Sequence, residues 1–114
     1  MNDVESVLIN PQYKDESAQK KNIFTGMDLT SDAYYLKPSQ VVEYHKHPGG
    51  DQVFFFLKGK GKFHLDNGTE EIINVAEGSS IYVPAGIWHK ITNSNDEMIA
   101  VQVTKAGAGM EIRQ

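Results

Sequence analysis

His45 and His47, two histidines separated by one residue, are the first residues of this chain whose type and spacing suggest chemistry. In an extended segment, residues i and i+2 point to the same face, so both imidazoles would lean toward one spot. The residues leading in, Gln40-Val41-Val42-Glu43-Tyr44, have the texture of a strand. Pro48-Gly49-Gly50 then turns the chain, and Gln52 opens the apolar run Val53-Phe54-Phe55-Phe56-Leu57. A reversal there brings the Gln52 amide back beside the histidines. A third histidine, His89, closes a second unusual segment, Pro84-Ala85-Gly86-Ile87-Trp88-His89. Neutral imidazole is the commonest protein ligand for zinc, iron, copper and nickel, and a buried imidazole is costly unless its ring nitrogens are satisfied. The pattern predicts a three-histidine metal site inside a β-barrel.

The elements that must position these residues are short and extended. Ile23-Phe24-Thr25, Ala33-Tyr34-Tyr35-Leu36, Phe63-His64-Leu65, Glu70 to Val75, Ser80 to Val83, His89 to Asn93 and Met98 to Val103 all read as strands. Turn signals separate them, among them Asp66-Asn67-Gly68-Thr69 and Ala76-Glu77-Gly78. No segment sustains a 3.6-residue period. Strands at intervals of roughly 8–12 residues argue an all-β fold, here an antiparallel jelly-roll β-barrel. Residues 1–22 are expected to form a polar arm or edge strand, and 23–114 a single barrel domain. Within the arm, Val7-Leu8-Ile9 suggests a short edge strand, and Lys14 to Lys21 a turn of helix or a solvated stretch. The glycine-rich Ala106 to Gly109 reads as a mobile segment or connector.

Composition narrows the function. At 114 residues the chain holds one core. It has no cysteine, which removes disulfides and thiolate ligands and suits a reducing cytoplasm. No apolar run is long enough to span a bilayer, and the acidic start Met1-Asn2-Asp3-Val4-Glu5 does not resemble a secretory signal. A cytoplasmic location without membrane association is expected. The net charge of −4, spread along the chain, disfavours a nucleic-acid partner. Ten lysines accompany one arginine, Arg113, so a guanidinium clamp on a ligand would require the C-terminus to fold over the pocket.

Other residues carry weaker signals. Glu43 shares parity with His45, which makes it a candidate catalytic base, or else it is turned to solvent. Tyr35 is the second catalytic candidate; with Tyr82 and Trp88 it is suited equally to the pocket or to a dimer interface. Phe54 and Phe56 share parity with Gln52 and should line the pocket or fill the core. His64 falls on the face opposite Phe63 and Leu65, as a wall or surface residue. Asp51 reads as a solvated turn acid. Lys58-Gly59-Lys60-Gly61-Lys62 lacks the spacing of a phosphate loop and reads as a glycine turn.

Taken together, these segments resemble the cupins. The second cupin motif, G-x5-P-x-G-x2-H-x3-N, is matched at every fixed position by Gly78, Pro84, Gly86, His89 and Asn93. The first, G-x5-H-x-H-x3,4-E-x6-G, is matched by His45, His47 and Gly59, with Ser39 in place of its first glycine and Gln52 in place of its glutamate. The resemblance implies that His45, His47 and His89 hold a divalent metal ion (iron, manganese, zinc or nickel), with Gln52 at the fourth protein position. An amide there leaves the ion its full double charge, which weakens metal binding and strengthens attraction for an anionic ligand. If Gln52 stands off, the site is similar to the three-histidine centres of the thiol dioxygenases in the same superfamily. The substitution also departs from the glutamate pattern of germin-type manganese chemistry on oxalate.

The resemblance further implies a small-molecule ligand and a homodimer paired through edge strands. Three functions fit. One is a metalloenzyme acting on a small anionic molecule, by isomerisation, decarboxylation, lyase chemistry or dioxygenation. Another is a non-catalytic binding or sensing protein using the same site. The last is a structural barrel, which a complete histidine triad disfavours.

Overall fold

In the computed structural model, residues 6–113 are described. They form ten strands: β1 (Gln19–Thr25), β2 (Leu29–Leu36), β3 (Val41–Lys46), β4 (Gln52–Lys58), β5 (Gly61–Asp66), β6 (Glu70–Val75), β7 (Ser80–Val83), β8 (Trp88–Asn93), β9 (Met98–Lys105) and β10 (Glu111–Ile112). The strands lie in two five-stranded sheets, ordered β1-β2-β9-β4-β7 and β10-β3-β8-β5-β6, with every pairing antiparallel. This is the all-β jelly roll expected from the strand spacing. Among the described residues no helix is long and apolar enough to cross a membrane.

The inner faces follow from alternation. Along β4, Gln52, Phe54 and Phe56 point inward and are buried, while Phe55 is exposed. Tyr34, Leu36, Phe54, Phe56, Phe63, Val75, Val83, Ile91, Met98 and Ala100 make the apolar core between the sheets. Toward one end this lining turns polar, with His45, His47, His89, Gln52, Gln102, Thr104 and Asp32 all buried. The barrel therefore has an apolar interior at one end and an end furnished with donors and acceptors.

A smaller cluster covers the outer face of the first sheet. Ala33, Tyr35 and Ile99 pack there with Val7, Tyr13, Ile23, Leu57 and Val101. Residues Val7 to Ile9 form a turn rather than the expected edge strand. Their role is as a cover: the Val7 carbonyl accepts a hydrogen bond from the Tyr35 hydroxyl at 2.9 Å. Lys14 to Lys21 contributes no helical turn; β1 begins at Gln19 and pairs with β2, so it crosses the boundary expected at residue 22.

The motif glycines are fixed by backbone geometry. Gly59, Gly78 and Gly86 have φ of 82°, 91° and 80°, in the left-handed region that disfavours a side chain. Ser39 occupies the position of the absent first glycine and holds the same conformation, with φ of 67°. Asn93, the last residue of the second motif, is a staple: its amide donates to the carbonyls of Leu36, Lys37 and Asp96.

Candidate metal centre

His45 lies in β3 directly across from His89 in β8, and His47 follows one residue after β3 ends. One ring nitrogen from each histidine lies within 4.8 Å of the others. The ring centroids are 4.2 Å apart for His45 and His89, 5.2 Å for His45 and His47, and 5.6 Å for His47 and His89. The three histidines of the two motifs thus meet inside the barrel.

Each ring is oriented by a backbone carbonyl. His45 Nδ1 lies 2.9 Å from the Glu43 oxygen, His47 Nδ1 2.7 Å from Gly109, and His89 Nδ1 3.0 Å from Ile87. A carbonyl only accepts, so each Nδ1 carries the hydrogen and each Nε2 is left with a lone pair. All three Nε2 atoms are buried without a hydrogen-bond partner among the described residues. Burial pushes the pKa of all three below the usual histidine value, that of His89 down to about 3, where the neighbouring His45 and His47 add to the effect. The rings are neutral at physiological pH, as ligation requires. His89 is clamped further by Phe63, nearly parallel at 6.0 Å, and by the edge of Phe54 at 5.6 Å.

Gln52 is 1% exposed, and neither its Oε1 nor its Nε2 has a partner. Among the described residues Gln102 Oε1 and Thr104 Oγ1 are likewise without a partner, on the same inner face. Leaving such a group unsatisfied costs roughly 1–3 kcal/mol, so these atoms call for partners from outside the chain. Three convergent imidazole lone pairs suit a divalent ion of the zinc-to-iron class, and the Gln52 amide oxygen suits the fourth protein position. The donor set fits the metal that the motifs imply.

The catalytic candidates fall elsewhere. Strict alternation would put Glu43 on the face of His45, but the β3–β8 register slips between Val42 and His45. The resulting bulge inserts a residue and leaves the Glu43 side chain exposed, with its carbonyl holding His45. Tyr35 points to the outer face of the first sheet, edge-on to Tyr13. His64, also outward, meets the Thr92 hydroxyl at 3.0 Å and the ring of Tyr44. Arg113 folds over the outside of the barrel, against Tyr44 and Trp88 and 3.0 Å from Asp66, away from the histidines. Tyr82 is exposed.

Asp51 does more than a solvated turn acid would. Its carboxylate accepts from the Ala85 amide at 2.8 Å and from the Tyr82 hydroxyl, tying the turn before His89 to the start of β4. The Tyr82 hydrogen bond, then the Ala85 amide, hold its pKa below the usual carboxylate range. The Gly86 amide donates to the His47 carbonyl at 3.0 Å and joins the two motifs directly.

Residues Ala106 to Gly109, expected as a mobile segment or a connector, are a connector from β9 to β10 and form a packed strap. Ala108 is buried, its carbonyl accepts from the Gly49 amide at 2.8 Å, and Gly109 fixes His47 before β10 pairs with β3. A cavity of about 230 Å³ lies between this strap and the first sheet, lined by His47, Asp32, Gln102, Thr104 and Lys20. A larger surface groove of about 570 Å³, flanked by Lys60, Lys62, Asn74 and Asn93, includes none of the three histidines.

The cupin domain family matches residues 34–104, well over half of the chain. The chain belongs to the cupin family. This cupin is 31% identical over 72 residues to an uncharacterized protein of Methanocaldococcus jannaschii, covering 63% of this chain and 55% of that one. It is 33% identical over 69 residues to an oxalate-binding protein of Thermotoga maritima, covering 58% and 54%. The chain thus spans about half the length of the curated relatives it matches. A crystal structure of an uncharacterized Klebsiella pneumoniae protein with a double-stranded β-helix domain superposes with a TM-score of 0.90 at 20% identity, covering 100% and 99%. That likeness establishes the fold alone.

Proposed function

We propose that this cupin holds a divalent metal ion through Nε2 of His45, His47 and His89 with the Gln52 amide oxygen, and binds a small anionic organic molecule there. The observation that carries the reading is the convergence of three buried lone pairs, each oriented by a carbonyl on the far side of its ring. Such second contacts on ligating histidines set ring orientation and raise basicity. A bound ion would supply Lewis-acid polarisation of a ligand oxygen.

An anionic partner follows from charge. Three neutral imidazoles and an amide leave the ion its double charge in a buried site. The Thermotoga maritima relative, by its name, binds oxalate, which supports a small anion as the class. Glu43 and Tyr35 stand outside the cavity, so the reading is one of binding at a metal, without a catalytic base assigned.

Cobalt substitution tests both halves together. Co2+ is expected to develop a ligand-field spectrum that saturates at one equivalent and is lost in His89→Ala. Glycolate or another small carboxylate should then shift that spectrum to a plateau. A cobalt spectrum indistinguishable from the free ion would contradict the metal, and one indifferent to carboxylates would contradict the anion.

A further inference from the structure

Beyond the histidines, the inner face of the first sheet carries a polar row on adjacent strands. Gln52 of β4 lies directly across from Thr104 of β9, and Gln102, two residues earlier in β9, lies between Asp32 of β2 and Phe54 of β4. Gln102 is 1% exposed and Thr104 is 4% exposed. Asp32 settles which way the Gln102 amide points. Its carboxylate accepts from Asn22 Nδ2 at 3.1 Å and faces the Lys20 ammonium at 3.9 Å. A carboxylate offers no hydrogen, so the Gln102 group 3.2 Å from Asp32 Oδ2 is its NH2. The Gln102 oxygen is then presented as an acceptor, and among the described residues both it and Thr104 Oγ1, two residues on along the same face, are buried without a partner. Both residues line the 230 Å³ cavity that His47 also lines.

We propose that Gln102 and Thr104 determine specificity by recognising a further hydroxyl group, beyond the end that meets the ion, on a carboxylate held at the metal centre, so that the ligand class is the small carboxylates with such a distal hydroxyl. This rests on the metal reading above and deepens it. A fixed, buried acceptor favours a ligand that brings it a donor, because a contact between facing lone pairs there is expensive. Oxalate presents acceptors alone and would set its own oxygens against Gln102. A molecule with one end on the ion and a hydroxyl beyond it satisfies both.

Glycerate and lactate separate the ideas, since both offer the same 2-hydroxy-carboxylate to the ion and differ by one terminal hydroxyl. Each would be titrated calorimetrically into zinc-loaded protein whose metal content is measured in the same sample. Glycerate is expected to bind about tenfold more tightly or better. Gln102→Met should bring the two within about twofold, chiefly by weakening glycerate. Thr104→Val, which removes a hydroxyl at constant shape, should lower the preference at least threefold, and it decides the matter should Gln102→Met not fold. Metal-loaded protein that binds neither acid, binds them equally, prefers oxalate, or keeps its preference in the variants overturns the proposal and leaves the metal reading standing. Protein that takes up no zinc overturns the metal reading, and this proposal with it.

Discussion

His47 Nδ1 lies 2.7 Å from the carbonyl oxygen of Gly109, a residue 62 positions further along the chain. The contact makes the C-terminal strap part of the candidate metal centre, because the ring that would ligate an ion is turned by a carbonyl the strap supplies. A Cβ at Gly50 would come within 2.7 Å of Lys105 Cβ and 3.0 Å of Ala108 Cβ, so Gly50→Val should push the strap away. Removing such an orienting contact usually lowers metal affinity about 10–100-fold. A chelator-competition titration of Gly50→Val, with circular dichroism to confirm the fold, measures it. Unchanged affinity would mean that Gly109 does not orient His47.

Gln52→Glu should tighten divalent-metal binding, by about tenfold or more, because a carboxylate replaces a neutral amide beside a double charge. The same variant should weaken small-carboxylate binding, since the net charge at the ion falls. Identical metal affinity in the two proteins would remove Gln52 from the ion's immediate partners.

The metal-free protein should lose stability as it is acidified. Burial holds His45, His47 and His89 below the usual pKa of about 6.5, His89 at about 3, so the unfolded chain takes up protons that the folded chain refuses. The stabilising difference is complete above pH 6.5 and shrinks as the pH falls toward 3. Between pH 7.5 and 5.5, His89 alone should account for about 1 kcal/mol, with His45 and His47 acting in the same direction. Urea midpoints at the two pH values check this. A flat response would show that the rings are not held neutral.

Ser39→Gly should stabilise the fold. Ser39 is the one non-glycine residue with positive φ among the described residues, and the left-handed conformation costs a side-chain-bearing residue roughly 1–2 kcal/mol. The freer unfolded glycine offsets part of that, which leaves a gain of about 0.5–1 kcal/mol. Thermal or urea unfolding reads it directly. A loss of stability would mean that the Ser39 side chain makes a compensating contact.

What was legible in the sequence was what a motif or a strict alternation could carry. The histidine spacing, the parity of Gln52 with Phe54 and Phe56, and the turn at Asn67-Gly68 depend on local geometry that holds in the fold. Glu43 could be read either way, inward or to solvent, and a bulge that breaks the alternation turns it outward, which nothing in Val42-Glu43-Tyr44 announces. Gln102 and Thr104 escaped notice for a different reason. Their strand is covered on both faces, so Ile99, Val101 and Val103 look as inward as Met98 and Ala100. The alternation of Gln102 and Thr104 with those valines was the available signal, but only the register with Gln52 tells which face is which. Gly109 could not be found by pattern, because it acts through its backbone.

Metal stoichiometry bears most directly on the central claim. Protein purified without a histidine tag, dialysed against a zinc, nickel, iron or manganese buffer and analysed by mass spectrometry should retain close to one ion per chain. His45→Ala, His47→Ala and His89→Ala should each abolish that retention while the sheet signal in circular dichroism persists. Retention below a tenth of an equivalent with every metal, or retention indifferent to His89→Ala, would contradict a metal centre at these three histidines.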